Sequence, residues 1–360
     1  MARPIVAEVD LAAIAANLAS VRRYAPATEV LAVVKANAYG HGLQRVLPAL
    51  DDADGLALIE LDAALALRTA GYSRTVLLLE GFFDPSDLGT IAQHRLHAVL
   101  HDAEQIRMLE KTPLSARIDV YVKANTGMNR LGFAPADMAS VCNRLTRIAS
   151  VRSIRLMMHF ACADEVDGIA TPLAQFERAC AGLPYARSLA NSAGVVRYGE
   201  VGGDGVRPGI MLYGATPFAT RSAEALGLLP AMTLRSKLIA VQTLAGGDSV
   251  GYGASFRAPH AMRIGVVACG YADGYPRLAP GGTPVLVCGR RVPMAGRVSM
   301  DMITVDLSAV PEAVVGSDVV LWGNGLPVDD VAAKASTVGY ELLCAVAPRV
   351  PFVVRERSGG

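Results

Sequence analysis

The stretch VLAVVKANAYGHG, residues 30–42, decides the fold prediction. It starts with five apolar residues in a row, and a lysine followed by a glycine-containing loop comes next. A continuous apolar run indicates a strand that is buried on both faces, as in a parallel sheet. Further apolar runs follow, separated by loops or by stretches with helical periodicity. They lie at residues 55–59, 75–79, 97–100, 118–122, 154–159, 188–190 and 206–213.

Eight such runs over about 220 residues predict an N-terminal (β/α)8 barrel of the TIM type. The clearest helix between them is residues 60–71, with Leu61, Ala64 and Leu65 on one face and Gly71 as its stop. An open doubly wound sheet is the alternative. It is disfavoured because no GxGxxG motif follows an early strand.

The hydrophobic pattern changes near Arg221, where helical periodicity is replaced by short β-type runs with Gly and Pro turns between them. The fold class is therefore α/β, with a barrel in residues 1–225 and an all-β domain in residues 226–360. The tail formed by residues 359 and 360 is expected to fray. The predicted strands of the second domain are 237–243, 264–269, 284–287, 302–307 and 318–322.

Composition excludes several classes of protein. With 52% apolar and 19% charged residues among 360, the chain is too apolar to be disordered. Its longest charge-free stretch, residues 208–220, has 13 residues and two prolines, whereas a membrane-spanning helix needs about 20 apolar residues. A net charge of +1 gives no field that attracts nucleic acid or anionic lipid. Low charge with high apolar content points to an oligomer.

The beginning of the sequence and its cysteines predict a cytoplasmic location. Residues 1–10 contain no apolar segment of the signal-peptide type and no small-residue cleavage site. The six cysteines form no CxxC pair, so reduced thiols are expected. No metal site is predicted, because His94, His97 and His101 have no suitable carboxylate beside them.

Reactive side chains are expected at the carboxyl ends of the barrel strands, where this fold collects function. Lys35 follows the first predicted strand, and partial burial there would make its amine a nucleophile or a base. Lys123 and Arg130 follow the fifth strand, where two cations can hold an anion or a phenolate. The sixth ends at His159. Each of these has an ordinary alternative: a solvated lysine, a solvated loop or a hydrogen-bonded core histidine.

Small residues follow the last two predicted strands. Asn191 and Ser192 come after the seventh, and Arg207 precedes Gly209 and Ile210 in the eighth. Barrels bind phosphate at this position, because backbone N–H groups can approach it closely. A strand-end lysine opposite a phosphate cradle predicts a phosphorylated aldehyde bound as a Schiff base, which is pyridoxal phosphate.

The quoted residues resemble the bacterial alanine racemase family. VVKANAYGHG around Lys35 is similar to that family's pyridoxal-phosphate attachment motif. The resemblance extends from about residue 8 to residue 351 and includes the β domain. Further matches occur in chain order: KANTGMNRLG (123–132), HFA (159–161), NSA (191–193), RPGIMLYG (207–214), GYGA (251–254), GYADG (270–274) and GRVSMD (296–301).

The resemblance implies an alanine racemase: a head-to-tail homodimer with composite active sites that interconverts L- and D-alanine. Lys35 would form the aldimine with pyridoxal phosphate and then act as the base on the D-face. Tyr252 of the second chain would be the base on the L-face, helped by a cation from His159 or Arg207. Two bases are needed because one proton leaves one face while another arrives on the opposite face.

The resemblance also assigns binding roles. Arg207 would donate to the pyridine nitrogen, since a guanidinium keeps its proton. Phosphate would be held by Tyr39, Ser192, Gly209 and Ile210, next to Asn191 and His159. Arg130 would contact the phenolate and the substrate, oriented by Lys123, which is often carbamylated in relatives. From the second chain, Met300 would bind the substrate carboxylate. An access channel would be lined by Tyr271, Arg277, Arg297, Asp164 and Asp301.

Three departures from the family pattern stand out. Asn125 replaces a common Asp, which removes a charge near Lys123 and Arg130. Ser299 replaces a common Cys. Residues 347–351 contain no tyrosine, so one phosphate contact is expected to be missing and the entrance to be wider.

The sequence leaves three other functions as alternatives. The nearest alternative is a broad-specificity racemase for serine, lysine or arginine, but relatives of that kind usually carry export signals. A non-catalytic pyridoxal-phosphate carrier would resemble the barrel alone. A decarboxylase of similar architecture would have a carboxylate where Arg207 stands. The racemase would supply D-alanine for peptidoglycan synthesis, or it would serve alanine catabolism in the reverse direction.

Overall fold

The computed structural model describes residues 3–355, so the prediction for residues 359 and 360 lies outside the described part. The strands, in chain order, are β1 Val6–Asp10, β2 Glu29–Val33, β3 Gly55–Leu58, β4 Thr75–Leu78, β5 His97–Leu100, β6 Ile118–Lys123, β7 Val151–Met157, β8 Arg187–Ser188, β9 Gly205–Val206, β10 Met232–Leu244, β11 Ser249–Val250, β12 Phe256–Arg257, β13 Met262–Val267, β14 Pro284–Val287, β15 Arg290–Pro293, β16 Ile303–Asp306, β17 Asp318–Trp322 and β18 Phe352–Arg355.

The helices alternate with the barrel strands and then become sparse. In chain order they are α1 Leu11–Tyr24, α2 Lys35–Tyr39, α3 Leu43–Val46, α4 Leu61–Thr69, α5 Pro85–Gln93, α6 Ala103–Lys111, α7 Met138–Leu145, α8 Ala170–Ala179, α9 Ser192–Tyr198, α10 Val328–Lys334 and α11 Gly339–Cys344. Short 3-10 turns connect several of them. Within residues 3–355, no helix combines the length and the apolar character needed to cross a bilayer.

Strands β2 to β9 form a closed parallel barrel, which confirms the predicted fold class and excludes the open doubly wound sheet. Closure is made by β9 pairing with β2, where Val206 lies beside Val30. Strands β3 to β6 are buried over most or all of their length; β6, for example, has six buried residues out of six. Burial on both faces explains why these strands read as continuous apolar runs.

Local sequence signals explain where the outer helices begin and end. The Asp10, Asp84 and Asp102 carboxylates accept a hydrogen bond from the backbone of the first turns of α1, α5 and α6. Such caps satisfy N–H groups that the helix itself leaves free. Helix α4 ends at Thr69, two residues before Gly71, whose φ of +87° is the left-handed conformation that stops a helix.

A separate sheet is built mainly from the C-terminal part of the chain, as predicted. Its strand order is β15-β14-β17-β10-β1-β18, and β13 joins β10 and β16. Strand β1, which the sequence did not reveal, leaves the N-terminus to pair antiparallel with β10 and parallel with β18. Helix α10 packs against α11, and α11 lines the mouth of the barrel with Tyr340, Glu341 and Cys344.

One predicted strand is much shorter than expected. The apolar run 206–213 predicts a single strand, but β9 ends at Val206 and residues Ile210–Tyr213 form a 3-10 turn. Pro208 cannot donate to a sheet ladder, and Gly209 takes φ −120°, ψ −93°, which redirects the chain. The turn places the Gly209 and Ile210 backbone at the barrel mouth rather than in its wall.

Candidate active site

A cavity of about 830 Å³ opens at the carboxyl ends of the barrel strands. Its wall contains every barrel residue that the sequence singled out as a site residue. Eleven of them line it: Lys35, Tyr39, Lys123, Arg130, His159, Asp164, Asn191, Ser192, Arg207, Gly209 and Ile210. They come from the ends of five different strands, so only closure of the barrel brings them together.

Lys35 and Tyr39 are joined by an unusual backbone segment. Residues 36–39 all have positive φ, with values of 52°, 53°, 56° and 50°, so α2 is a turn of left-handed helix. For L-residues this conformation costs roughly 1–2 kcal/mol per residue. The turn reverses the chain directly after β2, so that the Lys35 and Tyr39 side chains both reach the cavity.

His41 stabilises this turn through hydrogen bonds from its imidazole ring. Its imidazole is fully buried, and its Nδ1 donates to the carbonyl oxygens of Ala38 and Tyr39, each at 3.0 Å. Burial lowers the pKa of His41 to about 4, so the ring is neutral. It stacks on Tyr213 at 4.7 Å between ring centroids, and Tyr39 stacks on the same ring at 4.8 Å.

The strain in this turn leads to a stability prediction. Ala36→Gly is expected to leave the free energy of unfolding unchanged or to raise it by about 0.5–1 kcal/mol, because glycine adopts positive φ without steric cost. Ala66→Gly is the matched control, since Ala66 is exposed within the right-handed helix α4 and should lose about 1 kcal/mol. Thermal unfolding of both variants is the measurement. Equal losses in the two variants would contradict the strain assignment.

A polar cradle lies in the cavity wall at Ser192 and Gly209. The Ser192 hydroxyl accepts from the backbone N–H of Gly209 at 2.9 Å. A Cβ at Gly209 would come within 2.4 Å of the Tyr39 hydroxyl oxygen, so only glycine permits this close approach. Two hydroxyl groups and backbone N–H groups therefore meet at one point.

Arg207 is held rigidly in the floor of the cavity. Its Nη1 donates to the Ser188 carbonyl and hydroxyl oxygens, both at 2.6 Å, and its Nη2 donates to the Met158 carbonyl oxygen at 2.6 Å. Its Nε makes no hydrogen bond to any of residues 3–355. Burial lowers the pKa of Arg207 to about 10, so the guanidinium keeps its proton at neutral pH.

The cations in the cavity influence one another. Burial, followed by the charges of Arg207, Arg130 and Lys35, lowers the pKa of Lys123 to about 8. Burial and the same cations lower the pKa of His159 to about 3. His159 is therefore neutral in this cavity, and Arg207 is charged. Which of the two assists Tyr252 stays a prediction.

Asn125 organises the loop that carries Arg130. Its side-chain oxygen accepts from Asn129 N at 3.0 Å, and its amide nitrogen donates to the Asn129 side-chain oxygen at 3.1 Å. An Asp here would keep the first bond and lose the second, because a carboxylate cannot donate. The departure from the family pattern thus exchanges a charge for a reciprocal hydrogen bond.

Six predicted site residues do not line the cavity of their own chain. They are Tyr252, Tyr271, Arg277, Arg297, Met300 and Asp301, which lie in the second domain. Tyr252 sits in the connection between β11 and β12 and is 70% exposed, while Met300 is 53% exposed. Large apolar and aromatic side chains of this kind mark an interaction surface when they cluster.

The sequence pattern does not point to several of the lining residues, among them Glu80, His101 and Tyr340. Glu80 and His101 follow β4 and β5, so applying the strand-end rule to those strands would have found them. Tyr340 lies on α11 in the second domain, with its ring 5.9 Å from that of Tyr39. Tyr340 brings an aromatic side chain to the cavity from eight residues before Pro348, and the expected loss of a phosphate contact and wider entrance stay predictions.

The donor set fits a phosphorylated, anionic aldehyde. Four cationic side chains line the cavity, and their mutual repulsion is visible in the lowered pKa values of Lys123 and His159. An anion bound among them would relieve that repulsion. The hydroxyl and N–H cradle at Ser192 and Gly209 suits phosphate oxygens, and Lys35 supplies a primary amine.

Comparison with known families gives a match over both domains. The family model described as "Alanine racemase, N-terminal domain" matches residues 9–217, and that described as "Alanine racemase, C-terminal domain" matches residues 231–354. The alanine racemase of Nitrosospira multiformis is 57% identical over 356 residues, covering 98% of this chain and 100% of the relative. That of Paraburkholderia phytofirmans is 54% identical over 352 residues, with 98% and 99% covered.

Solved structures agree with these sequence relatives. The biosynthetic alanine racemase from Pseudomonas aeruginosa has a TM-score of 0.95 and 50% identity, covering 98% of this chain and 100% of that chain. The alanine racemase from Acinetobacter baumannii has a TM-score of 0.92 and 36% identity, with the same coverage.

Proposed function

Because the chain belongs to the alanine racemase family, we propose that it interconverts L-alanine and D-alanine with pyridoxal phosphate as its cofactor. The observation that carries this proposal is the meeting of Lys35, the Ser192–Gly209 cradle and Arg207 in one cavity. The family match does not favour the broad-specificity racemase considered above, since the similar proteins are named alanine racemases.

The cofactor would be held at three points. Tyr39, Ser192 and the backbone of Gly209 and Ile210 would bind its phosphate, and Lys35 would attach its aldehyde. Arg207 would donate to the pyridine nitrogen through Nε, the one guanidinium nitrogen that the barrel carbonyls leave free among residues 3–355. When bound, the cofactor takes up the substrate amino group and withdraws electrons from the Cα–H bond, which makes that proton acidic.

The chain's own residues would then move protons on two faces of the substrate. Lys35 Nζ would remove or return the proton on the D-face, and the phenol oxygen of Tyr252 from a second chain would do so on the L-face. Arg207 keeps its own proton because its pKa is about 10, so it binds the ring nitrogen without protonating it. His159 and Asn191, whose side-chain nitrogens lie 3.4 Å apart, would line the cofactor site beside it.

Lys123 and Arg130 would form the substrate side of the cavity. Arg130 would bind the substrate carboxylate and the cofactor phenolate. Since the pKa of Lys123 is about 8, a sizeable fraction of its amine is neutral near pH 8, which supports carbamylation by carbon dioxide. The resulting carbamate would be an anion, placed to orient Arg130.

A second copy of the chain would complete each site as a homodimer. Met300 would bind the substrate carboxylate through its backbone, and Tyr271 and Asp301 would line the channel of the partner. The exposure of Tyr252 and Met300 supports this assignment, because both side chains are left uncovered in one chain. A cytoplasmic location and a role in peptidoglycan synthesis or alanine catabolism stay predictions.

The test measures racemisation of alanine and compares its rate with those of three other amino acids. Purified protein loaded with pyridoxal phosphate is expected to convert L-alanine to an equimolar mixture of enantiomers, measured by chiral chromatography. L-serine, L-lysine and L-arginine are run in parallel and should be turned over much more slowly. Absence of D-alanine would refute the proposal, and equal rates with lysine or arginine would favour the broad-specificity alternative.

A further inference from the structure

The second domain contains a fully buried carboxylate that is not part of the cavity. Asp273 has no exposed surface and accepts three hydrogen bonds. Arg3 Nη1 donates at 2.6 Å, Arg349 Nε at 2.8 Å and the Gly270 backbone N–H at 2.8 Å. Burial alone would raise the pKa of Asp273, but the bonds from Arg349, Arg3 and Gly270 outweigh it and lower the pKa.

The same two arginines reach a second loop. Arg349 Nη2 donates to Asp301 Oδ1 at 2.6 Å, and Arg3 donates to the Asp301 backbone oxygen. Asp273 therefore forms the centre of a network that joins the two ends of the described chain to Asp301. We call Asp273, Arg3, Arg349 and Asp301 the carboxylate junction.

The two loops held by the carboxylate junction are packed backbone against backbone. Tyr271 N donates to the Ser299 carbonyl oxygen at 3.0 Å, and Ala272 N donates to the Met300 carbonyl oxygen at 3.0 Å. A Cβ at Gly270 would lie 2.4 Å from both of these carbonyl oxygens, so the loops are as close as backbones can approach. Residues 270–274 and 299–301 thus behave as one unit.

Two exposed side chains project from this unit. Tyr271 is 40% exposed and Met300 is 53% exposed, whereas Asp273, two residues from Tyr271, is completely buried. The buried side of the unit is thus held by the ion pairs of Asp273, while the exposed side is accessible for contact with another molecule. A charge-assisted bond is short and directional, so it restricts the orientation of the unit more than apolar packing does.

We propose that Asp273 is a positioning residue that fixes Tyr271 and Met300 for insertion into the cavity of a second chain. The inference rests on the proposed function, which places both residues at the partner's substrate site. Asp273 touches neither substrate nor cofactor in this role. It acts through the carboxylate junction on the geometry of substrate binding, and it acts on the partner's site rather than on that of its own barrel.

The first variant is Asp273→Asn, which keeps the volume and removes the charge that binds both arginines. The KM for L-alanine is expected to rise about tenfold, because a misplacement of about 1 Å at a binding site can cost up to 100-fold. Absorption of the bound cofactor should not change, since Lys35 lies in the other domain. Asp318→Asn is the control: Asp318 is an exposed carboxylate of the same domain, 3.1 Å from Lys237, and its KM should equal that of the wild type.

A mixed dimer separates action on the partner from simple loss of stability. One chain carries Lys35→Ala and the other carries Asp273→Asn. Each chain also carries a different affinity tag, so that the mixed dimer can be purified. One site then combines an intact Lys35 with an intact Asp273 from the opposite chain, so the KM for L-alanine should return to the wild-type value. If Asp273 served only its own chain, the KM of the mixed dimer would stay raised, and the proposal would be overturned.

Arg349→Gln provides a second variant in case Asp273→Asn does not fold. It removes the bonds to Asp273 and Asp301 but leaves the Arg3–Asp273 pair, so a rise in KM of about threefold is expected, with the same rescue in the mixed dimer. An unchanged KM would overturn the proposal. Failure of the wild type to racemise alanine would instead refute the proposed function, so the two failures are distinguishable.

Discussion

Lys35→Ala is expected to reduce racemisation of alanine by at least about 10⁴-fold, because the substitution removes both the proposed attachment point of the cofactor and one of the two proposed bases. Lys35 lies two residues after β2 ends at Val33, at the start of the left-handed turn. Alanine is smaller than lysine, so no neighbouring side chain has to move in the variant. The loss should therefore come from chemistry and not from unfolding.

The measurements for this variant are D-alanine formation and borohydride labelling. Reduction should fix the cofactor to the wild-type chain at residue 35, and the variant should not be labelled there. Lys111→Ala is the control, since Lys111 is exposed at the end of α6, and it should keep full activity. Lys123 is the competing amine, because its pKa is about 8. Labelling at residue 123 in wild-type protein would contradict the assignment of Lys35.

Tyr252→Phe is expected to lower kcat/KM by about 10²–10⁴-fold, the usual contribution of a general base. Both directions should fall by the same factor, since the two enantiomers have equal free energy and the equilibrium constant cannot change. The ring remains, so the contacts of its apolar part are kept. Only the phenol oxygen, which we propose to move the proton on the L-face, is removed.

Solvent exchange distinguishes the two faces. In deuterated water, the variant should still exchange the Cα hydrogen of D-alanine through Lys35, while exchange from L-alanine should be lost. Tyr185→Phe is the control, since Tyr185 lies outside the cavity lining. Retained exchange from both enantiomers would show that Tyr252 is not the base on the L-face.

The architecture of the barrel was predictable from local patterns. Continuous apolar runs at β2 to β6 indicated strands that are buried on both faces, and the structure confirms that burial. The eighth strand was overestimated because apolar residues 210–213 are also buried in a 3-10 turn, and periodicity cannot distinguish the two. Strand β1 was missed because its partners, β10 and β18, are more than 200 residues away in sequence.

The chemistry of the site was predictable where it follows a strand. Lys35, Lys123, His159 and Arg207 each stand at or just after such an end, so the barrel rule brings them to one mouth. Tyr340 obeys no such rule, because it reaches the cavity from a helix of the second domain.

The fold class, the family and the identity of the reactive groups could be predicted from the amino-acid sequence, since they depend on residue type and on short-range order. The protonation states of these groups depend on the folded structure. His159 is neutral and Lys123 has a pKa of about 8 because burial is combined with the nearby charges of Arg207, Arg130 and Lys35. Neither desolvation nor a charge 80 residues away is written in a local pattern; both arise when the barrel closes and brings distant cations into one cavity.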